Sequence, residues 1–309
     1  MRGIRIGVGV ADPGGAALDA LVAQIVAAEQ AGFQSAWIPN IFAADAMTLA
    51  ALGGRASSRI EIGTAVVPTY SRHPLYLAQQ ALTTQAACGG RFALGLGPSH
   101  QVVIENMLGL SYAHPARHVE EYTRVVMDLA HTGTTSFSGK VYRVNASLKI
   151  ACGSPPPVLL GALGPRMRRI AGAVADGTIT WMTGRRTLAE EVGPGVRAAA
   201  REAGRREPRI VAGIPVVATD DPAGAREAAS KLFAIYGQLP SYRRMLDAEG
   251  AAAPGELALA GDAEAIERGI RAFADVGVTD FHAAVFPYGA DPKGSVRRTQ
   301  ELLGELARS

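Results

Sequence analysis

An apolar run in this chain, Phe92-Ala93-Leu94-Gly95-Leu96, ends at Gly97 and gives way to Pro98, Ser99, His100 and Gln101. A strand that carries hydrogen-bonding side chains where it leaves the core is how a rigid scaffold presents a site. His100 could act as a general acid, donate to a ligand carbonyl, or cap the next segment, and the three roles stay open at this level. Ser99 lies in Gly97-Pro98-Ser99-His100-Gln101, where Gln101 takes the place of the second glycine of a nucleophile elbow. Serine hydrolysis is therefore rejected.

Gly161-Ala162-Leu163-Gly164-Pro165-Arg166 is the second candidate. Free N–H groups at a helix start, with little side-chain bulk around them, bind anions, and Arg166 could add a charge-assisted contact. A plain strand-to-helix turn is the competing reading. His114 and His118 are four apart on a helix but lack an HExxH pattern, and Arg117 and Arg124 would repel a cation, so a surface helix is expected. Adjacent pairs such as Glu120-Glu121 and Asp220-Asp221 point to different sides of their elements and give paired-carboxylate catalysis little support. Arg166, Arg168 and Arg169 read as a solvated helix face. His282, alternating with apolar neighbours, reads as a satisfied, half-buried residue.

These residues need a scaffold, and the periodicity supplies one. Apolar strands alternate with helices from end to end. Strands are predicted at residues 4–10, 33–39, 60–67, 92–96, 158–161, 178–181, 210–219 and 278–285. A β-hairpin excursion is predicted over 134–144 and a helical interruption over 236–254. Eight strand–helix units form the pattern of a (β/α)8 TIM barrel, with one domain over 1–309 and insertions near 100–114, 132–156 and 236–258. A doubly wound sheet competes, but the first turn, Gly7-Val8-Gly9-Val10-Ala11-Asp12, lacks the third glycine of a dinucleotide fingerprint. In a barrel the ligand sits at the strand C-termini, which here are mixed apolar and hydrogen-bonding and suit a flat organic cofactor.

Composition narrows the class further. With 48% hydrophobic and 19% charged residues the chain is an ordinary globular protein. A net charge of +3, without a Lys/Arg block, argues against nucleic acid. Two cysteines without CxxC spacing, no signal-type segment and no long apolar run predict a cytoplasmic protein without a membrane span or metal site.

The chain resembles the luciferase-like monooxygenase superfamily, and within it the deazaflavin (coenzyme F420)-dependent oxidoreductases. The resemblance rests on Ala28 to Trp37, Gly63-Thr64-Ala65-Val66, His73-Pro74 with Ala78-Gln79, Gly90 to His100, Gly161 to Arg166, Ala175-Asp176-Gly177 and Gly277 to Phe281. It implies a TIM barrel holding the ring at the strand C-termini, with a bulge and a non-prolyl cis peptide behind the ring at Ala65-Val66. It further implies cofactor contacts from Asn40, Thr64, Ala65, Val66, Gly97, Pro98, Ser99 and His100. Gly161, Ala162, Leu163, Gly164 and Arg166 would hold the phosphate-bearing tail.

The family's sugar-phosphate dehydrogenases carry an Asp-His pair where this chain has Asn40-Ile41, and a Glu where it has His100. The implied activity is thus hydride transfer between F420 and a different small organic substrate, with His100 assisting protonation. An FMN-dependent monooxygenase and a non-catalytic flavin or deazaflavin carrier are the alternatives. An unrelated aldolase or isomerase barrel is disfavoured by the lack of a strand-end lysine or paired carboxylates. A homodimer built through barrel helices is also implied. Met182, Tyr112, Phe286 and the Tyr236 to Pro254 insertion are expected to shape the substrate pocket.

Overall fold

The computed structural model describes residues 3–12 and 14–309. Its barrel strands are β1 (Arg5–Gly9), β2 (Ser35–Ile38), β3 (Glu61–Thr64), β4 (Phe92–Gly97), β5 (Val158–Leu160), β6 (Gly177–Trp181), β7 (Arg209–Ala218) and β8 (Asp280–Val285). Each pairs in parallel with its sequence neighbours, and β8 closes on β1. This is the (β/α)8 barrel that the periodicity requires. Among the described residues no helix is long and apolar enough to cross a membrane.

Local chemistry sets the outer helices. In α1 (Leu18–Ala31) Leu21, Ile25 and Ala28 recur at helical spacing and are buried, and Gly32 ends it in the left-handed region at φ 95°. In α2 (Ala46–Ala56) the Asp45 carboxylate caps the first turn by accepting from Thr48 N at 2.9 Å. Pro74 and Pro115 open α3 (Pro74–Ala87) and α4 (Pro115–Thr132), where a missing N–H costs nothing. The ring is completed by α5 (Pro165–Ala173), α6 (Gly193–Glu202), α7 (Ala263–Asp275) and α8 (Pro292–Arg308).

The base of the barrel is tied by charge. Arg5, Glu61, Arg209 and Asp280 are the first residues of β1, β3, β7 and β8. The Arg209 guanidinium donates to Glu61 at 2.8 and 3.2 Å and to Asp280 at 2.7 and 3.3 Å. Arg5 adds contacts of 3.2 Å to each of the same carboxylates.

The third strand is not the unbroken run that periodicity gives over 60–67 but carries the bulge that the family resemblance implies at Ala65-Val66. Pairing with β4 runs through Gly63↔Ala93, lapses, and resumes at Val67↔Leu96. Three residues (Thr64, Ala65, Val66) thus oppose two (Leu94, Gly95), which is a bulge. Thr64 Oγ1 donates to Gly95 O at 3.0 Å and accepts from Gly95 N at 2.9 Å, filling the gap in the ladder. A side chain at Gly95 would collide with the Thr64 carbonyl, so only glycine permits this approach.

Two excursions matter for the site. The hairpin Thr134–Ser138 with Arg143–Ser147 is present, its turn held by the Glu121 carboxylate accepting from Lys140, Val141 and Tyr142 N at 2.7–2.9 Å. After β7 come helices Pro222–Leu232, Ala234–Gln238 and Pro240–Glu249 and a strand, Leu259–Gly261, that pairs with β7 outside the barrel. That strand was not expected from the sequence. Three residues are too few for a period to register.

Candidate active site

The C-terminal ends of the strands gather the predicted residues at one mouth. The Ala65-Val66 peptide is cis. A Cβ placed on Gly161 would lie 4.0 Å from Val66 Cγ2 and 3.9 Å from Gly97 Cα, so the bulge, β4 and the loop after β5 converge. Gly161 N donates to Leu96 O at 2.8 Å, and Thr69 N to Gly97 O at 2.9 Å, fixing both flanks. Beneath them Trp37, Ala93, Leu159, Ile179 and Val211 form a buried layer on which Ala65 and Val66 pack.

Beyond Gly97, Ser99 takes a left-handed conformation at φ 61°. This turns the chain so that the His100 carbonyl accepts from Val103 N and Ile104 N at 2.9 and 3.0 Å, starting a π-helical turn over Val102–Met107. The His100 imidazole stands 5.8 Å from the Tyr242 ring, and burial lowers its pKa, favouring the neutral form. A wall of rings continues from there. Tyr242 meets Tyr236 at 5.0 Å, Tyr236 meets Trp181 at 5.9 Å, Trp181 meets His282 at 6.4 Å, and His282 meets Trp37 at 6.0 Å.

On the other side, α5 begins at Gly164 with no side chain capping its first turn. Arg166 is exposed and 4.0 Å from Glu120. Arg244, from the insertion helix Pro240–Glu249, brings its guanidinium to 3.2 Å from where a Cβ of Gly164 would stand. Ala162 is buried, whereas Leu163 and Gly164 are partly open. Asn40 accepts from Ala46 N at 3.0 Å through Oδ1, and its amide N–H2 has no partner among the described residues. The Thr64 hydroxyl is engaged with Gly95 and braces the bulge. Pro98 lies between Gly97 and the Ser99 turn.

Four expectations are corrected. His118 is buried rather than on a surface helix: its ring stacks on Tyr70 at 3.7 Å, and Nε2 lies 3.0 Å from Thr69 Oγ1. Tyr70 in turn stacks on Tyr112 at 5.4 Å, and the Tyr112 hydroxyl donates to Ser99 O at 3.1 Å, so His118 braces the Ser99 turn. Arg168 is buried and paired with Glu191 at 2.7 Å, not part of a solvated face. His282 is buried and makes no hydrogen bond among the described residues, so it is not satisfied. Phe286 and Met182 are buried too, Phe286 in a side cluster with Val217 and Ala225, while Tyr236 and Tyr242 of the insertion expected to shape the pocket stand in the wall of rings.

Burial pushes the His118 pKa down to about 4, against a smaller opposing pull from Glu121. An unfolded histidine gains its proton below about 6.5, so the folded state binds fewer protons between pH 6.5 and 4 and loses stability as pH falls across that window. Each unit of difference is worth about 1.4 kcal/mol. The urea midpoint is expected to drop between pH 6.5 and 4.5, and to drop less in His118→Phe. Equal slopes for the two proteins would exclude His118 as a source.

The family model for luciferase-like monooxygenases matches residues 4–280. The chain is 27% identical over 311 residues to a 5,10-methylenetetrahydromethanopterin reductase of Methanopyrus kandleri, covering 90% of this chain and 84% of that one. An F420-dependent glucose-6-phosphate dehydrogenase of Nakamurella multipartita is 31% identical over 197 residues, covering 59% of this chain and 58% of its own. The solved structure of a coenzyme F420-dependent tetrahydromethanopterin reductase from Methanopyrus kandleri superimposes with a TM-score of 0.81 at 24% identity, over 98% of this chain and 97% of that one.

Proposed function

The chain belongs to the luciferase-like monooxygenase family, and we propose from that premise that it is a coenzyme F420-dependent oxidoreductase acting on a small organic substrate. The observation that carries the reading is the convergence of Val66, Gly97 and Gly161 on one side of a mouth walled by rings on the other. Backbone bare of side chains on one face and aromatic surface opposite fit a planar tricycle. The uncapped start of α5, with Arg166 and Arg244 at hand, fits an anionic tail. Relatives named for F420 support the choice of ring.

When bound, the deazaflavin would take up or deliver a hydride at its ring. The chain's residues would do the rest. Val66, with Ala65 behind it, would press on one face of the ring, and Pro98 and the Ser99 turn would hold its edge. Gly161 to Gly164 would present N–H groups to the phosphate. Neutral His100, able to donate or accept, would hold a proton at the mouth. The amide of Asn40 would offer a donor where the sugar-phosphate branch has its base.

Titration of the purified protein with F420 and with FMN tests this reading. Saturable quenching of F420 fluorescence, with no comparable FMN binding, is expected. Tight FMN binding together with oxygen consumption would replace it by the monooxygenase reading. Arg244→Ala is expected to weaken F420 binding about tenfold, the worth of a charge-assisted hydrogen bond. Binding of the phosphate-free deazaflavin chromophore should not change, and an equal loss for both would place Arg244 elsewhere.

A further inference from the structure

The imidazoles of His100 and His282 both reach the mouth without a hydrogen bond among the described residues, and His282 is the more deeply buried of the two. It points inward from β8, in register with Gly7 of β1 on one side and Gly213 of β7 on the other. A Cβ on Gly9 would stand 3.0 Å from Nε2, and a Cβ on Gly213 would stand 3.2 Å from Nδ1. The two neighbouring strands thus clear a slot for the imidazole by having no side chains there. Neither ring nitrogen makes a hydrogen bond among the described residues, yet neither is sealed, in contrast to the buried indole N–H of Trp37. The residue is 8% exposed, so the imidazole sits at the edge of the interior with both nitrogens unpartnered. A buried polar group without a partner costs about 1–3 kcal/mol, and the glycine slot is shaped to keep this one.

We propose that His282 is a substrate-contacting residue that hydrogen-bonds a carbonyl or hydroxyl oxygen of an uncharged, flat, largely apolar substrate. The proposal rests on the oxidoreductase reading and adds the class of molecule. Trp181, partly open, tilts against the imidazole at 6.4 Å, and Phe233 and Tyr236, also partly open, meet Trp181 at 5.6 and 5.9 Å. Such a lining accepts a planar hydrocarbon body and resists ions. Burial holds the His282 pKa down at about 3, so the ring is neutral, with one donor and one acceptor nitrogen. A neutral imidazole matches a carbonyl or hydroxyl oxygen; a carboxylate or phosphate would demand a cation.

The test uses the F420-loaded protein and a panel of acetophenone, 2-cyclohexen-1-one and benzyl alcohol, with benzoate as the charged counterpart. The chain has 6 histidines, so imidazole 15N resonances can be counted and His282 assigned by its loss in His282→Asn. At least one neutral probe is expected to shift the His282 nitrogens, and the carboxylate is not. His282→Leu should weaken binding of that probe roughly tenfold, with partial recovery in His282→Gln. F420 affinity, read in the same samples by fluorescence, should fall less than probe binding, and an equal loss for both would place His282 against the cofactor and overturn the proposal. The proposal is overturned if no neutral probe moves the His282 resonances, if His282→Leu binds the probe as well as the parent, or if the carboxylate binds best. Failure of the parent to bind F420 at all would instead sink the oxidoreductase reading. A variant that has lost its near-UV circular dichroism is set aside in favour of His282→Gln, which decides alone.

Discussion

Leucine in place of Gly161 is expected to abolish F420 binding while the barrel stays folded. A Cβ at this position would meet Leu96 O at 3.6 Å, Gly97 Cα at 3.9 Å and Val66 Cγ2 at 4.0 Å, all ordinary contact distances. Alanine is therefore accommodated, and its expected effect on affinity is small. Leucine carries three further carbons, which have to enter the space between Val66 and the loop after β5. If that space holds the ring, affinity falls on the order of 100-fold or more, which corresponds to about 2.7 kcal/mol. The Gly161 N–H bond to Leu96 O is untouched, so the melting temperature should move little. Fluorescence titration of the two variants gives the answer. A leucine variant that binds F420 as tightly as the parent would place the cofactor elsewhere.

Arg209→Met is expected to cost about 3 kcal/mol of stability, because it removes the more buried of the two arginines that hold the Glu61 and Asp280 carboxylates together at the barrel base. Asp280 is 1% exposed and has little access to water. Arg5 contacts the same pair but is itself partly exposed. Surface pairs behave differently. Arg268–Glu264, with side chains 68% and 84% exposed, is worth at most about 0.5 kcal/mol. Urea denaturation of the two arginine variants should separate them clearly. Adding Glu61→Gln and Asp280→Asn to Arg209→Met should recover part of the loss, and no recovery would argue that packing of the arginine stem dominates.

The scaffold was readable because its signal is local. Each strand and its helix show their period within about fifteen residues, and α1, α3 and α4 start or stop where Gly32, Pro74 and Pro115 stand. The cis peptide at Ala65-Val66 came from the family resemblance alone, since nothing in four small residues announces it. Contacts between distant segments left no trace in spacing. His118 is buried because Tyr70, 48 positions earlier, lies flat on it, and Arg168 because Glu191 reaches it from the π-helical turn before α6. Tyr242 and Arg244 face the mouth through a helix whose placement depends on how the insertion folds back. One signal was available and unused. Lone charges at the first position of four strands, Arg5, Glu61, Arg209 and Asp280, can only meet at the ring's lower rim once the barrel is assumed.

The segment between β7 and α7 leaves from Thr219 and returns to Gly261, whose carbonyl accepts the Thr219 N–H at 2.9 Å. Its exit and re-entry are thus clamped side by side, and the barrel closes through β7 and β8 without it. Phe233, Tyr236, Tyr242 and Arg244 all ride on this one length of chain. Selection can therefore rewrite it as an interchangeable cassette, swapping chemical taste between sister enzymes without renegotiating the scaffold. Grafting residues 220–260 from a paralogue should shift preference in part, because Trp181 and His282 stay behind with the barrel.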